Sequence, residues 1–295
     1  MAIFHCSAKA ISRASGRSST ASAAYRAGVK IEDERTGEVF DFTRKEGIVQ
    51  KVILLPAGCS RMSRSELWNS AEQAEKRKDA KVAREWEIAL PTELSEGARV
   101  RLAVDFGRAL VSRYGVAADV CIHEPSRHGD QRNWHAHILT TTRRMEGNAL
   151  KEKTRVLDSP LTSGQEVEAM RKLWADMVNR ELAQVCFETI DHRSLENQGI
   201  QRVPTKHLGP AATQMERRGI KTERGNLNRS LEHEAEKELV ALESQQKGIS
   251  KARQGFQEWK EARAREKEAQ EREQNRLKQK READRECSRS RGWSR

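Results

Sequence analysis

Apolar positions follow two periods through residues 1–200 and neither beyond residue 226. Val82–Leu90 (VAREWEIAL) alternates with the period of two expected of a strand, and Pro91 stops it. Ala2–Ser7, the run Ile48–Leu55 (IVQKVILL), Val116–His123 (VAADVCIH) and His135–Thr142 (HAHILTTT) also read as strands, Ile48–Leu55 as a buried one. Residues 29–43 predict a hairpin that turns at Arg35-Thr36-Gly37. Helical spacing at Val100, Ala103, Val104, Phe106, Leu110 and Val111 marks a helix over Glu96–Arg113 that Gly115 ends. Three more helices are predicted. Ser19–Arg26 stops at Gly28, a Ser63/Glu66 capping box starts a helix to about Lys78, and Gln165–Cys186 is amphipathic. Strands and helices interleaved with hairpin-like links fit an α+β domain built on a mainly antiparallel sheet flanked by helices.

The last residues change this picture. Lys251–Arg295 hold 15 Lys/Arg against 9 Asp/Glu, so more than half of the chain's net charge of +11 sits there. Phe256, Trp259, Leu277 and Trp293 are its few large apolar residues, and the stretch lacks Pro. It reads as a long solvated helix with a disordered Ser/Arg-rich tip, serving either as a spacer or as an arm that holds DNA. The expected organisation is a domain over residues 1–200, a Gly/Pro-bearing linker over 201–225 and a charged extension over 226–295. Hydrophobic residues make up 36% of the chain, below the ~45–50% of an ordinary globular protein (a count that also includes Gly), which agrees with a large uncored portion. Five Cys without paired spacing argue against a disulfide scaffold. Neither a membrane span nor a signal peptide is legible, so a cytoplasmic protein with an acidic partner is expected, nucleic acid first.

Three of the eight His fall in one window: His123, His135 and His137. His135 and His137 stand two apart on a strand and so share a face. An 11-residue loop (EPSRHGDQRNW) returns the chain from His123 to them. If the two strands pair antiparallel, three neutral imidazoles can reach one divalent metal and leave coordination positions open, the pattern of a catalytic site. Imidazole tolerates several metals, so identity stays open. His128 is expected to be exposed in the loop, while His5, His192, His207 and His233 show no ligand spacing. Of the two Tyr, Tyr114 ends a helix at an ordinary packing position. Tyr25 lies among small residues, with Arg13, Arg17 and Arg26 available to meet phosphates. Trp86 and Trp134 are candidates to stack unpaired bases.

The segments MAIFHCSAKAISRASGRSSTASAAYRAG, EWEIALPTEL, IH…NWHAHILTTTRR and DHRSLENQGIQRVPTKHLGPAATQMERRGI together resemble the MobA/MobL family of plasmid mobilisation relaxases, over residues 1–225. That resemblance implies the fold of the HUH endonucleases, an antiparallel sheet flanked by helices. It implies an enzyme that nicks one DNA strand at a transfer origin, stays joined to the 5′ end and later reseals the strand. Tyr25 matches the family's nucleophile, and His123, His135 and His137 match its metal triad, for which Mg or Mn is expected. Glu85 and Glu87 fall where related relaxases carry an acidic residue. Alternation puts both on one face of their strand, where one would orient a metal-binding His or accept the Tyr25 proton, Glu85 being the better candidate. Implied partners are single-stranded origin DNA, accessory mobilisation proteins, and the coupling protein and type IV secretion system of a helper plasmid. The protein would travel with the DNA to the recipient. Many relatives append a primase or helicase domain where this chain has a charged helix, so unwinding would come from elsewhere. Two other readings stay open: a metal-dependent nuclease that uses water, and a non-enzymatic DNA-binding accessory protein.

Overall fold

The computed structural model describes residues 3–127, 129–200 and 203–291. It divides into two compact units, Met1–Ser194 and Leu195–Arg295.

In the first unit, β1 (Cys6–Ser12), a short 3-10 turn and α1 (Ser19–Ala27) lead to the hairpin β2 (Lys30–Asp33) and β3 (Glu38–Asp41). There follow β4 (Ile48–Leu54), α2 (Arg64–Gln73), β5 (Lys81–Ala89), α3 (Glu96–Tyr114), β6 (Ala118–His123) and β7 (His135–Thr141). A second hairpin, β8 (Arg143–Glu146) and β9 (Ala149–Lys153), precedes α4 (Ser163–Gln184). Five strands form one sheet in the order β1-β5-β7-β6-β4, and every neighbouring pair is antiparallel.

Alternation along the central strands assigns each residue to a face. Trp86, Ile88, Val120, Ile122, Ala136 and Ile138 pack with Phe106 and Leu110 of α3 and with Trp174 and Val178 of α4. On the other face, Ala83 and Leu139 pack with Ala23 and Ala24 of α1 and with Leu67 and Trp68 of α2. Gly107 permits the close seating of α3, because a Cβ there would come within 2.8 Å of Val120 and 2.9 Å of Leu54. At the start of α2, the predicted capping box is present, Ser63 and Glu66 each accepting the other's backbone N–H.

Several expectations need correction. The first strand runs over Cys6–Ser12 rather than Ala2–Ser7, because its partner is β5, from Cys6 opposite Ile88 to Ser12 opposite Lys81. The strand expected to be buried at 48–55 is an edge strand whose residues are half-buried or exposed. Helix α2 ends at Gln73, not near Lys78, since the Arg13 guanidinium takes the carbonyls of Glu72, Glu75 and Arg77. The β8–β9 hairpin was not foreseen, and its short, charged strands carry little periodic signal.

In the second unit, α5 (Pro210–Arg217) lies within the stretch expected as a linker, and α6 runs from Glu223 to Arg291. Helix therefore extends into the expected Ser/Arg-rich tip, whose last four residues lie outside the described ones. His128 also lies outside them. Among the described residues every cysteine recorded is free, and no helix is long and apolar enough to cross a membrane.

Candidate active site

Strands β6 and β7 pair with His123 opposite His135, so the spacing read from the sequence closes into a cluster. The three imidazole centroids lie 5.1–5.3 Å apart, and one ring nitrogen from each of His123, His135 and His137 falls within 4.8 Å of the others. Among the described residues this is the one group of His, Cys, Asp or Glu placed to hold an ion. It lies on the α1 face of the sheet, since His135 and His137 alternate with the buried Ala136 and Ile138 beneath α3 and α4.

Each ring has one nitrogen tied to an acceptor. His123 Nε2 lies 2.8 Å from the Arg26 carbonyl, and His135 Nδ1 lies 2.8 Å from the Asn133 carbonyl. His137 Nδ1 lies 2.6 Å from Glu85 Oε1. A carbonyl or an ionised carboxylate only accepts, so each of these nitrogens is the N–H and the opposite one keeps its lone pair. Burial, reinforced by the positive charge of Lys45, pushes the His123 ring down to about 3. Burial likewise lowers His135. Both are neutral at neutral pH, the form that binds a divalent cation. Three imidazoles tied in this way, with one ring nitrogen of each within 4.8 Å of the others, fit one such ion.

The carboxylate of Glu85 is buried and bridges two elements. It accepts from His137 and, at 2.6 Å, from Arg26 Nε. Burial would raise its pKa, but the hydrogen bonds from His137 and Arg26 and the Arg26 charge prevail and hold it at about 2. Glu87 is on the same face, as alternation predicts, but bonds Lys9 at 2.7 Å and among the described residues makes no hydrogen bond to a triad ring. Trp86 points the opposite way and is fully buried against Phe106, so the expected base-stacking role is corrected. The alternation that aims Glu85 and Glu87 at the site directs Trp86 into the core. Trp134 is half-buried, with the Arg99 guanidinium 4.0 Å from its ring centroid.

Helix α1 brings Tyr25 to the site. Ser18 caps its first turn, and the buried Glu72 accepts from both the backbone N–H and the hydroxyl of Ser19, placing a carboxylate at the helix N-terminus. Gly28 ends it at φ 56, where a Cβ would collide with Ile48. Tyr25 is 50% exposed and meets Phe42 edge-on at 5.2 Å. Lys45 was not foreseen, since only the fold carries the β3–β4 connection over α1. Its ammonium sits 3.8 Å from the Tyr25 ring centroid and donates to the Tyr25 carbonyl at 3.0 Å. Burial, and then the charge of Arg26, lowers its pKa.

The three arginines near Tyr25 have separate fates. Arg17 is exposed and among the described residues has no ion-pair partner. Arg26 holds Glu85 through Nε and the Ser22 carbonyl through one terminal nitrogen. Arg13 is corrected as a phosphate contact. Its donors make five hydrogen bonds to Glu72, Glu75 and Arg77, three to carbonyls and two to the Glu72 carboxylate. An open cleft of about 660 Å³ runs beside Tyr25 and Arg26, with Arg17, Arg35 and Lys78 on its walls. Tyr114, by contrast, is buried and donates to Glu166, and burial foremost pushes its phenol up to about 12.

The chain matches the MobA/MobL family model over residues 17–218. It is 42% identical over 272 residues to a mobilization protein MobL of Acidithiobacillus ferridurans, an alignment covering 83% of this chain and 71% of that protein. To a conjugal transfer protein TraA of Rhizobium radiobacter it is 35% identical, across 76% of this chain but 23% of that much longer protein. A solved structure described under the molecular basis of vancomycin resistance transfer in Staphylococcus aureus superposes with a TM-score of 0.58 at 28% identity. That match covers 65% of this chain and 100% of the other.

Proposed function

The chain belongs to the MobA/MobL family, and from that premise we propose that it is a mobilisation relaxase whose Tyr25 cleaves single-stranded DNA and becomes joined to its 5′ end. The observation that carries this reading is Arg26. Its carbonyl accepts from His123 and its guanidinium binds Glu85, which in turn holds His137. The residue next to Tyr25 is thus bonded to the outer side of the histidine cluster, and the helix that carries the phenol is fixed against it.

The Tyr25 oxygen attacks phosphorus as the bond to the departing 3′ oxygen breaks, and its proton passes to the water that reaches the half-exposed ring. A phosphotyrosyl ester remains, and attack by the free 3′-hydroxyl reverses the step and reseals the strand. A Mg or Mn ion held by His123, His135 and His137 would polarise a non-bridging phosphate oxygen and offset the charge that grows in the transition state. Glu85 is a positioning residue. A carboxylate held at about 2 by two donors accepts a proton poorly but fixes the His137 tautomer well. Arg17 and the unbonded terminal nitrogen of Arg26 would meet the backbone of the extended strand along the cleft. Origin DNA, accessory mobilisation proteins and a helper plasmid's coupling protein and secretion channel are the proposed partners, with nicking in the cytoplasm before transfer.

Tyr25→Phe removes only the oxygen. It should abolish both nicking and the adduct on a denaturing gel of labelled origin oligonucleotide, while Tyr114→Phe keeps both. An adduct that persists in Tyr25→Phe overturns the assignment. Metal-dependent cutting without any adduct would favour a water-using nuclease, and binding without cutting an accessory protein.

A further inference from the structure

Helix α6 is exposed from residue 236 to residue 265, yet its residues are not distributed at random around it. At about 100° per residue, Ile249, Arg253, Trp259, Lys260 and Arg263 all fall within about 60° of Phe256. Glu258 and Glu261 fall on the opposite side. One face therefore carries apolar and cationic groups and no acid from Ile249 to Arg263, in a helix that is otherwise of mixed charge.

The aromatic residues on this face form a platform. Phe256 and Trp259 are 58% and 53% exposed, and their rings stack 5.9 Å apart at 18°. Lys260 lies 5.5 Å from the Phe256 centroid, and Arg263 lies 5.4 Å from that of Trp259. Two solvent-facing π surfaces flanked by cations present together the stacking and charge that a single strand can use. A second copy of the helix is a poor cover. An antiparallel pair would oppose Arg253 and Lys260 with their own counterparts, and a parallel pair would oppose them with Gly248 and Gly255, neither of which offers an anion. The charge calls for an anionic partner, and the stacked rings call for one with flat aromatic surfaces.

We propose that the face of α6 formed by Ile249, Arg253, Phe256, Trp259, Lys260 and Arg263 is a sequence-tolerant binding site for single-stranded nucleic acid. Bases stack on Phe256 and Trp259, and the strand's phosphates meet Arg253, Lys260 and Arg263. The site is separate from the nicking chemistry and does not rest on it. It would hold unpaired strand without reading its sequence.

The test uses the full chain and labelled oligothymidylate, which has no origin sequence. The double variant Phe256→Ala/Trp259→Ala should weaken oligothymidylate binding at least about tenfold, because one stacked base is worth roughly 1–3 kcal/mol. Binding of a duplex of equal length, helicity by circular dichroism and origin nicking should all stay as in the parent. Replacing Arg253, Lys260 and Arg263 with Gln should lower the slope of log affinity against log salt by about 2, since each phosphate contact on single strands contributes roughly 0.7. Parental affinity in the aromatic double variant overturns the proposal, as does an equal loss on single strand and duplex. Sedimentation showing a dimer of the parent that the double variant abolishes would assign the face to a second copy. Preference for polyglutamate over oligothymidylate would assign it to an acidic protein. Loss of oligothymidylate binding with nicking retained supports this site, whatever the fate of the Tyr25 assignment.

Discussion

Arg26 shows how one side chain and its own carbonyl can serve two parts of a site. Its backbone oxygen fixes the tautomer of His123, while its guanidinium neutralises the buried Glu85. Glu85→Gln keeps an acceptor for His137 but removes the charge that balances Arg26. Nicking should fall about 10–100-fold, the usual cost of losing a partner behind a metal ligand. A parental rate in an oligonucleotide assay across neutral pH would remove Glu85 from the mechanism. The histidines themselves are tested by heat. A divalent ion bound at a hundred times its Kd should stabilise the parent by about 2.7 kcal/mol, and His135→Ala should lose that metal-dependent rise in Tm together with nicking. At this scale, the clustering of the three histidines could be read from the sequence because their spacing is a local property, while the role proposed for Tyr25 rests on the family resemblance. Arg13 misled, since its surroundings in sequence look open while its donors are consumed by residues of α2 and the turn beyond it.

Among the elements, buried carboxylates anchor α1 and α2 in addition to their apolar packing. Glu72 ties α2 to the start of α1, and Asp119 of β6 ties α2 to the sheet through a two-bond pair with Arg64 and a hydrogen bond from Trp68 Nε1. Asp119 is buried, so removing it strands a guanidinium and an indole N–H. Asp119→Ala should cost about 3–5 kcal/mol in a denaturant titration. Asp119→Asn, which can still accept, should cost less. Neither anchor was legible beforehand, because Glu72 and Asp119 resemble ordinary helix and strand-edge acids until their partners are known. Helices α3 and α4 were, to within two residues at each end, since their apolar spacing, and for α3 the terminal Gly115, are written along single segments.

For the whole molecule, the two units carry different physics. The core lies in the unit that ends at Ser194, and α6 is a charged helix without one. Ending the chain after Lys221 should leave nicking of an origin oligonucleotide within about twofold of the parent, while affinity for unrelated single strands falls and depends less on salt. A truncated protein that gives a parental circular dichroism spectrum yet cannot nick would show that the chemistry needs the extension.

The sequence alone determined the α+β class, the spacing of His123, His135 and His137 that an antiparallel pairing of their strands closes into a cluster, and the segregation of charge toward the C-terminus. Each of these is set by short-range periodicity or by composition. Only the tertiary structure decided which arginines remain free for a phosphate, that Trp86 is core and not platform, and that Lys45 lies over Tyr25. It also turned β4 into an edge and placed β1 on β5. Those outcomes depend on which distant groups compete for the same buried donor, acceptor or strand edge. That competition is settled only when the sheet closes and the helices pack on its two faces.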